Sequence, residues 1–173
     1  MKRTIIDLFE ESVAKYGSKE FLLEKHNGKF EPTTYKESYD RAITIGAGLA
    51  AIGIERGDRV SILAEGCNNW IISELGLLYA GAISVPLSIK LEEANDLTFR
   101  LKHSDAKVVF VSNHQLNKIR NIITELPDLK YVIVSGITNM SWNIVRSRII
   151  YKNVYLHLIQ ELNCTIDRDQ VLK

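Results

Sequence analysis

Between residues 58 and 135, short apolar runs alternate with longer segments of helical periodicity, and this rhythm limits the fold more than any other feature. Two of the runs, Val108-Val109-Phe110-Val111 and Val132-Ile133-Val134, are continuous and mostly β-branched. Such runs suit strands covered on both faces. Two more, Asp58 to Ala64 and Ala82 to Pro86, precede them. Between these runs lie helical patterns: Asn68 or Asn69, as cap, to about Ala80; Leu91 to His103; and a helix carrying Leu116, Ile119, Ile122, Ile123 and Leu126, stopped at Pro127. Strands joined through helices require right-handed crossovers and a parallel sheet. The expected fold is therefore α/β, a doubly wound, mostly parallel sheet with helices on both faces.

Upstream, Thr4 caps a first helix striped by Ile5, Leu8, Phe9, Val13 and Tyr16, and Gly17 marks its stop. Glu20 to Lys25 and Lys29 to Glu31 then flank His26-Asn27-Gly28, a hairpin signal. Thr34-Tyr35-Lys36-Glu37 has the form of a capping box. The helix it opens carries Gly46, Ala47, Gly48, Ala50 and Ala51, small enough for close packing, and stops at Gly53 with Ile54 placed for a Schellman contact. Ser112-Asn113-His114-Gln115 reads as a second capping box. From Gly136 to Lys173 the rhythm is lost. Helices are expected there at Asn153 to Leu162 and Asp167 to Leu172, with no strand to extend the sheet.

Composition excludes several functions. Apolar residues make up 46% of the 173, and the net charge is only +1, so disorder is excluded. The same balance supplies no global field for nucleic acid. No stretch approaches the ~20 apolar residues that span a bilayer, and Asp7, Glu10 and Glu11 interrupt any signal-peptide core. The expected location is cytoplasmic, a peripheral place at the membrane included. Cys67 and Cys164 form neither a disulfide framework nor a CxxC site.

Reactive constellations are missing too. The ten glycines give no phosphate loop, and Gly46-Ala47-Gly48 lies within a helix. His26, His103, His114 and His157 have no metal-ligand spacing, and His103 suits a helix C-terminus. Glu92 and Glu93 read as a charge pair at a helix start, and Trp70 and Tyr79 as core. No serine sits in a GxSxG elbow. On these residues alone the chain is an α/β scaffold supplying walls to a site completed elsewhere.

Three segments extend the reading. Thr33-Thr34-Tyr35-Lys36-Glu37-Ser38, Gly48 to Val60 (GLAAIGIERGDRV) and Leu77 to Leu87 (LLYAGAISVPL) resemble, in order and spacing, the N-terminal part of the adenylate-forming AMP-dependent synthetases and ligases. Ser104 to Val111 is similar to the segment that follows in that superfamily. The resemblance runs from about residue 4 to 135. It implies a two-step reaction: a carboxylate attacks the α-phosphate of MgATP to give acyl-AMP and pyrophosphate, and the thiol of coenzyme A then displaces AMP. The family's phosphate loop, adenine-binding segment, ribose-binding Asp and catalytic Lys lie downstream. The resemblance thus implies an N-terminal fragment, residues 1–135 forming a subdomain and residues 136–173 an irregular or helical segment ending before the phosphate loop.

Such a fragment is expected to be inactive alone, with no catalytic residue or metal ligand of its own. ATP, Mg²⁺ and coenzyme A belong to the full-length enzyme, and none is expected on the fragment. Its partners would be the missing C-terminal part and a carboxylate, a long-chain fatty acid preferred. Self-association as a homodimer would cover apolar surface or strand edge left bare. One position carries a possible family role: Arg120, with Lys118 its neighbour, follows the Val108 to Ser112 strand where some acyl-CoA synthetases contact coenzyme A phosphates. A solvated helix face is the plainer reading of that pair. The alternatives are an amino-acid-activating adenylation domain fragment and a non-catalytic α/β interaction module. A phosphoreceiver form of the last lacks its acidic cluster, since the strands end in Glu65-Gly66-Cys67 and Ser112-Asn113.

Overall fold

The computed structural model describes residues 3–135 and 149–151. In chain order the elements are α1 (Ile5–Tyr16), β1 (Glu20–His26), β2 (Lys29–Thr34), α2 (Tyr35–Ala51), β3 (Arg59–Leu63), α3 (Asn68–Tyr79), β4 (Ile83–Pro86), α4 (Ala94–His103), β5 (Val108–Ser112), α5 (Leu116–Ile122), β6 (Tyr131–Ser135) and β7 (Ile149–Tyr151). Strands β1 and β2 form an antiparallel hairpin. The other five make one parallel sheet in the order β4-β3-β5-β6-β7.

Alternation along the strands divides the core in two. Val60, Ile62, Val108, Phe110 and Ile133 face one side and pack with Phe9, Ala42, Leu49, Ile72 and Tyr79 of α1, α2 and α3. Leu63, Val109, Val111, Val132 and Val134 face the other and meet Leu97 and Leu101 of α4 and Ile119 and Ile122 of α5. The continuous β-branched runs are thus buried on both sides, because each strand must satisfy two helical layers.

Local signals operate as read. The Thr34 side chain accepts from the Glu37 amide, while Glu37 accepts from the Thr34 amide at 2.8 Å. Asn27 and Gly28 both have positive φ, as a type I′ turn demands. Helix α2 ends in a Schellman arrangement, with Gly53 N–H donating to Ala50 O at 2.9 Å and Ile54 N–H to Leu49 O at 3.0 Å. The small residues of α2 meet α3: a Cβ on Gly76 would lie 2.5 Å from Ile45 Cγ2, and one on Gly46 2.9 Å from Tyr79 Cβ. Tyr79 is buried against the edge of Tyr39, and Trp70 is packed beside this core.

Other expectations are corrected. Neither Asn68 nor Asn69 caps α3. Cys67 occupies the cap position without a side-chain bond, because Asn68 spends its amide on Thr33 Oγ1 at 3.2 Å and Glu24 of the hairpin receives the Asn68 N–H at 3.3 Å. Helix α4 starts at Ala94, not Leu91, since Leu91 packs as part of an extended loop on the second core. Glu93 is therefore the cap position and Glu92 lies before the helix. The box at Ser112 is only half formed: Ser112 Oγ accepts the Gln115 N–H at 3.3 Å, but the Gln115 side chain turns elsewhere. A strand does extend the sheet after Gly136: β7 pairs with β6. The helices expected at Asn153 to Leu162 and Asp167 to Leu172 lie outside the described residues.

Candidate site at the carboxyl end of the sheet

Strand order fixes where a ligand would be met. From β3 the chain passes to α3 on one face, and from β5 to α5 on the other. Adjacent parallel strands whose connections part in this way leave a crevice at their carboxyl ends, the usual ligand position in open α/β sheets. The loops at this switch point are Ala64-Glu65-Gly66-Cys67 and Asn113-His114-Gln115.

A polar link closes it. Gln115 Nε2 donates to Glu65 Oε1 at 2.6 Å, and the buried Ser112 accepts the Gln115 N–H at 3.3 Å. Burial is the largest single influence on Glu65 and pushes its carboxyl up. Hydrogen bonds from Ser112, Gln115 and its own backbone, with the charge of His114, together pull it below the usual carboxylate range. Glu65 is therefore an anion held by donors, not a proton donor at neutral pH. Gln115 Oε1 is inaccessible to solvent and has no partner among the described residues.

The two basic residues singled out in the sequence are placed differently. Lys118 is mostly buried; its ammonium donates to the Ile89 carbonyl at 2.7 Å and to Glu92 at 2.9 Å, tying the β4–α4 loop to α5. Arg120 is exposed, with Nη1 3.4 Å from Asn117 Oδ1 on the same helix. Two positions apart on a helix point about 200° apart, so the fold does not gather the pair around one point. His103 ends α4 as expected, stacked on Phe99, with Ser104 as the cap residue.

On the other side of β3, an open groove runs between the hairpin and α3. It is lined by Phe21, Leu22, Leu23, Cys67, Trp70 and Ile71. Sequence reading missed both this groove and the Glu65–Gln115 link. The partners are 50 residues apart, and only the strand order brings them together.

A doubly wound sheet with its switch point between β3 and β5, preceded by an antiparallel hairpin, defines an open α/β fold. The family described as AMP-binding enzyme matches residues 9–151, and the chain belongs to that family. It is 30% identical over 131 residues to a long-chain-fatty-acid–CoA ligase of Xenopus laevis, covering 75% of this chain and 18% of that protein. It is 31% identical over 133 residues to a long-chain-fatty-acid–CoA ligase of Mus musculus, covering 76% of this chain and again 18% of the relative. The chain thus spans under a fifth of the length of these curated relatives. The fold is that of the coronafacic acid ligase of Pectobacterium brasiliense, with a TM-score of 0.76 at 19% identity over 87% of this chain and 29% of that one. The resemblance read from the three motifs is therefore correct at the level of family and fold.

Proposed function

We propose that this chain is the N-terminal wall of an ATP-dependent acyl-CoA synthetase that takes a long-chain fatty acid through acyl-AMP to the coenzyme A thioester. One observation carries the reading: over about three quarters of its length the chain is 30% and 31% identical to two long-chain-fatty-acid–CoA ligases. The names of those relatives favour an acyl substrate over an amino acid, and a ligase part over an interaction module.

The chain's own contribution is structural and positional. Among the described residues no group of His, Cys, Asp and Glu is placed to hold a metal ion, so no step through Mg²⁺ is assigned to them. The glycines offer no phosphate loop. Reacting groups for adenylation would come from the rest of the enzyme, and the isolated chain is inactive in this account. Arg120, beside Lys118 on α5, is the proposed contact for coenzyme A phosphate. The exposed guanidinium supports Arg120 in particular, whereas Lys118 is already engaged.

Grafting tests the assignment. Residues 9–135 would replace the matching segment of the Xenopus ligase, and acyl-CoA formation from a long-chain fatty acid would be followed. Turnover by a folded chimera is the expected result. A folded chimera that binds ATP but forms no acyl-CoA would overturn it.

A further inference from the structure

The hairpin sorts its side chains by chemistry. Leu23 pairs with Pro32 and Lys25 with Phe30. Alternate residues and cross-strand partners share a face, so these four form one surface. On the opposite surface Leu22 pairs with Thr33, Glu24 with Glu31 and His26 with Lys29. That second surface holds the structure together: Glu24 receives the first amide of α3, and Thr33 receives the Asn68 side chain.

The first surface is turned to solvent. Phe30 is 66% exposed and Leu23 55% exposed. Leu23 also lines the groove against α3, where Ile71 is exposed too, so the apolar strip continues beyond the hairpin. Its four positions contain no carboxylate, and both hairpin carboxylates near the tip, Glu24 and Glu31, lie on the other side. The Lys25 ammonium stands 5.9 Å from the centre of the Phe30 ring, and His26 and Lys29 flank the turn.

We propose that this outer face, Leu23, Lys25, Phe30 and Pro32, docks on an anionic membrane interface. An aromatic and an aliphatic side chain enter the boundary between headgroups and acyl chains, while Lys25 stays at the level of the lipid phosphates. With the carboxylates on the opposite face, Lys25 is the charge that meets the lipid phosphates first. One hairpin tip gives weak, reversible attachment. The proposal uses none of the groups at the sheet's carboxyl end, and it requires that the rest of the proposed enzyme leave this face uncovered.

Vesicle co-sedimentation of the 173-residue chain tests it, with phosphatidylcholine vesicles containing about a third phosphatidylglycerol compared with phosphatidylcholine alone. Binding is expected to the anionic vesicles only, and to weaken with salt. Phe30→Ser should lower the partition coefficient about tenfold through lost apolar burial. Lys25→Gln should lower it about fivefold. Both side chains are exposed, and unchanged thermal midpoints would show that the variants fold. In a Phe30→Trp variant, emission above that of the parent should be quenched by brominated acyl chains. Absence of vesicle binding would overturn the proposal, as would equal binding to neutral vesicles or equal binding by the variants. Self-association that Phe30→Ser disperses, without vesicle binding, would assign the face to a second copy and overturn it equally.

Discussion

Replacing Gly76 by Ala tests the close approach of α2 and α3 on which one side of the core depends. The added Cβ would lie 2.5 Å from Ile45 Cγ2, 2.6 Å from Ile45 Cβ and 3.1 Å from the Ala42 carbonyl. Ordinary contact begins near 3.4 Å. A rotation of Ile45 about χ1 relieves the first clash but not the second, because Cβ does not move with χ1. The helices must therefore shift apart by the better part of an ångström, and with them Tyr39 and Tyr79. Overpacking of a tight core costs up to about 3 kcal/mol. The gain in helix propensity of Ala over Gly offsets about 1 kcal/mol. The net loss is about 2 kcal/mol, which lowers Tm by about 4–8 °C in a chain of this size. Thermal unfolding by far-UV circular dichroism reads this directly. Gly66→Ala is the control, since nothing lies within 4 Å of a Cβ there, and its Tm should stay close to the parent. A Gly76→Ala variant as stable as the parent would refute the packing argument.

The other predictions concern charge and the proposed coenzyme contact. Lys107 lies 2.6 Å from the buried Asp58; its hydrogen bond, then that of the Glu55 amide, hold the Asp58 carboxyl below the usual carboxylate range. A lowered folded-state value means the pair contributes stability above about pH 3.9, the unfolded value for Asp, and that contribution is lost as pH falls through the folded value. Lys107→Met should cost about 2 kcal/mol at neutral pH by leaving Asp58 short of its partner, and should flatten the acid side of a Tm-against-pH curve; an unchanged curve would contradict the assignment. In the grafted ligase, Arg120→Ala should raise the KM for coenzyme A about tenfold, the loss of one charge-assisted phosphate contact, and leave fatty-acid-dependent pyrophosphate exchange unchanged. No change in that KM would remove Arg120 from the site.

Much of the fold was legible because its signals are local. A β-branched run such as Val108 to Val111 needs no knowledge of its neighbours to announce a strand buried on both faces, and Thr34 with Glu37 forms its box within one helical turn. Asn27-Gly28 is legible for the same reason. Errors arose where a distant group won the competition for a side chain. Asn68 has the chemistry of a cap, but Thr33, 35 residues away, takes its amide. Gln115 has the spacing of a capping box, but Glu65, 50 residues away, takes its side chain. Strand β7 is short, three residues, and lies in a stretch with no alternation to mark it. The candidate site was less legible than the fold. Its crevice is defined by the order β4-β3-β5, and strand order is not written in any one segment.

Fatty-acid-dependent ATP–pyrophosphate exchange by the isolated 173-residue chain measures the central claim directly. The account predicts none, with the chain folded and its sheet intact, because the proposed reading assigns the groups that activate the α-phosphate to residues outside this chain. Exchange well above the no-enzyme background would show that this polypeptide carries its own reactive machinery and would contradict the account.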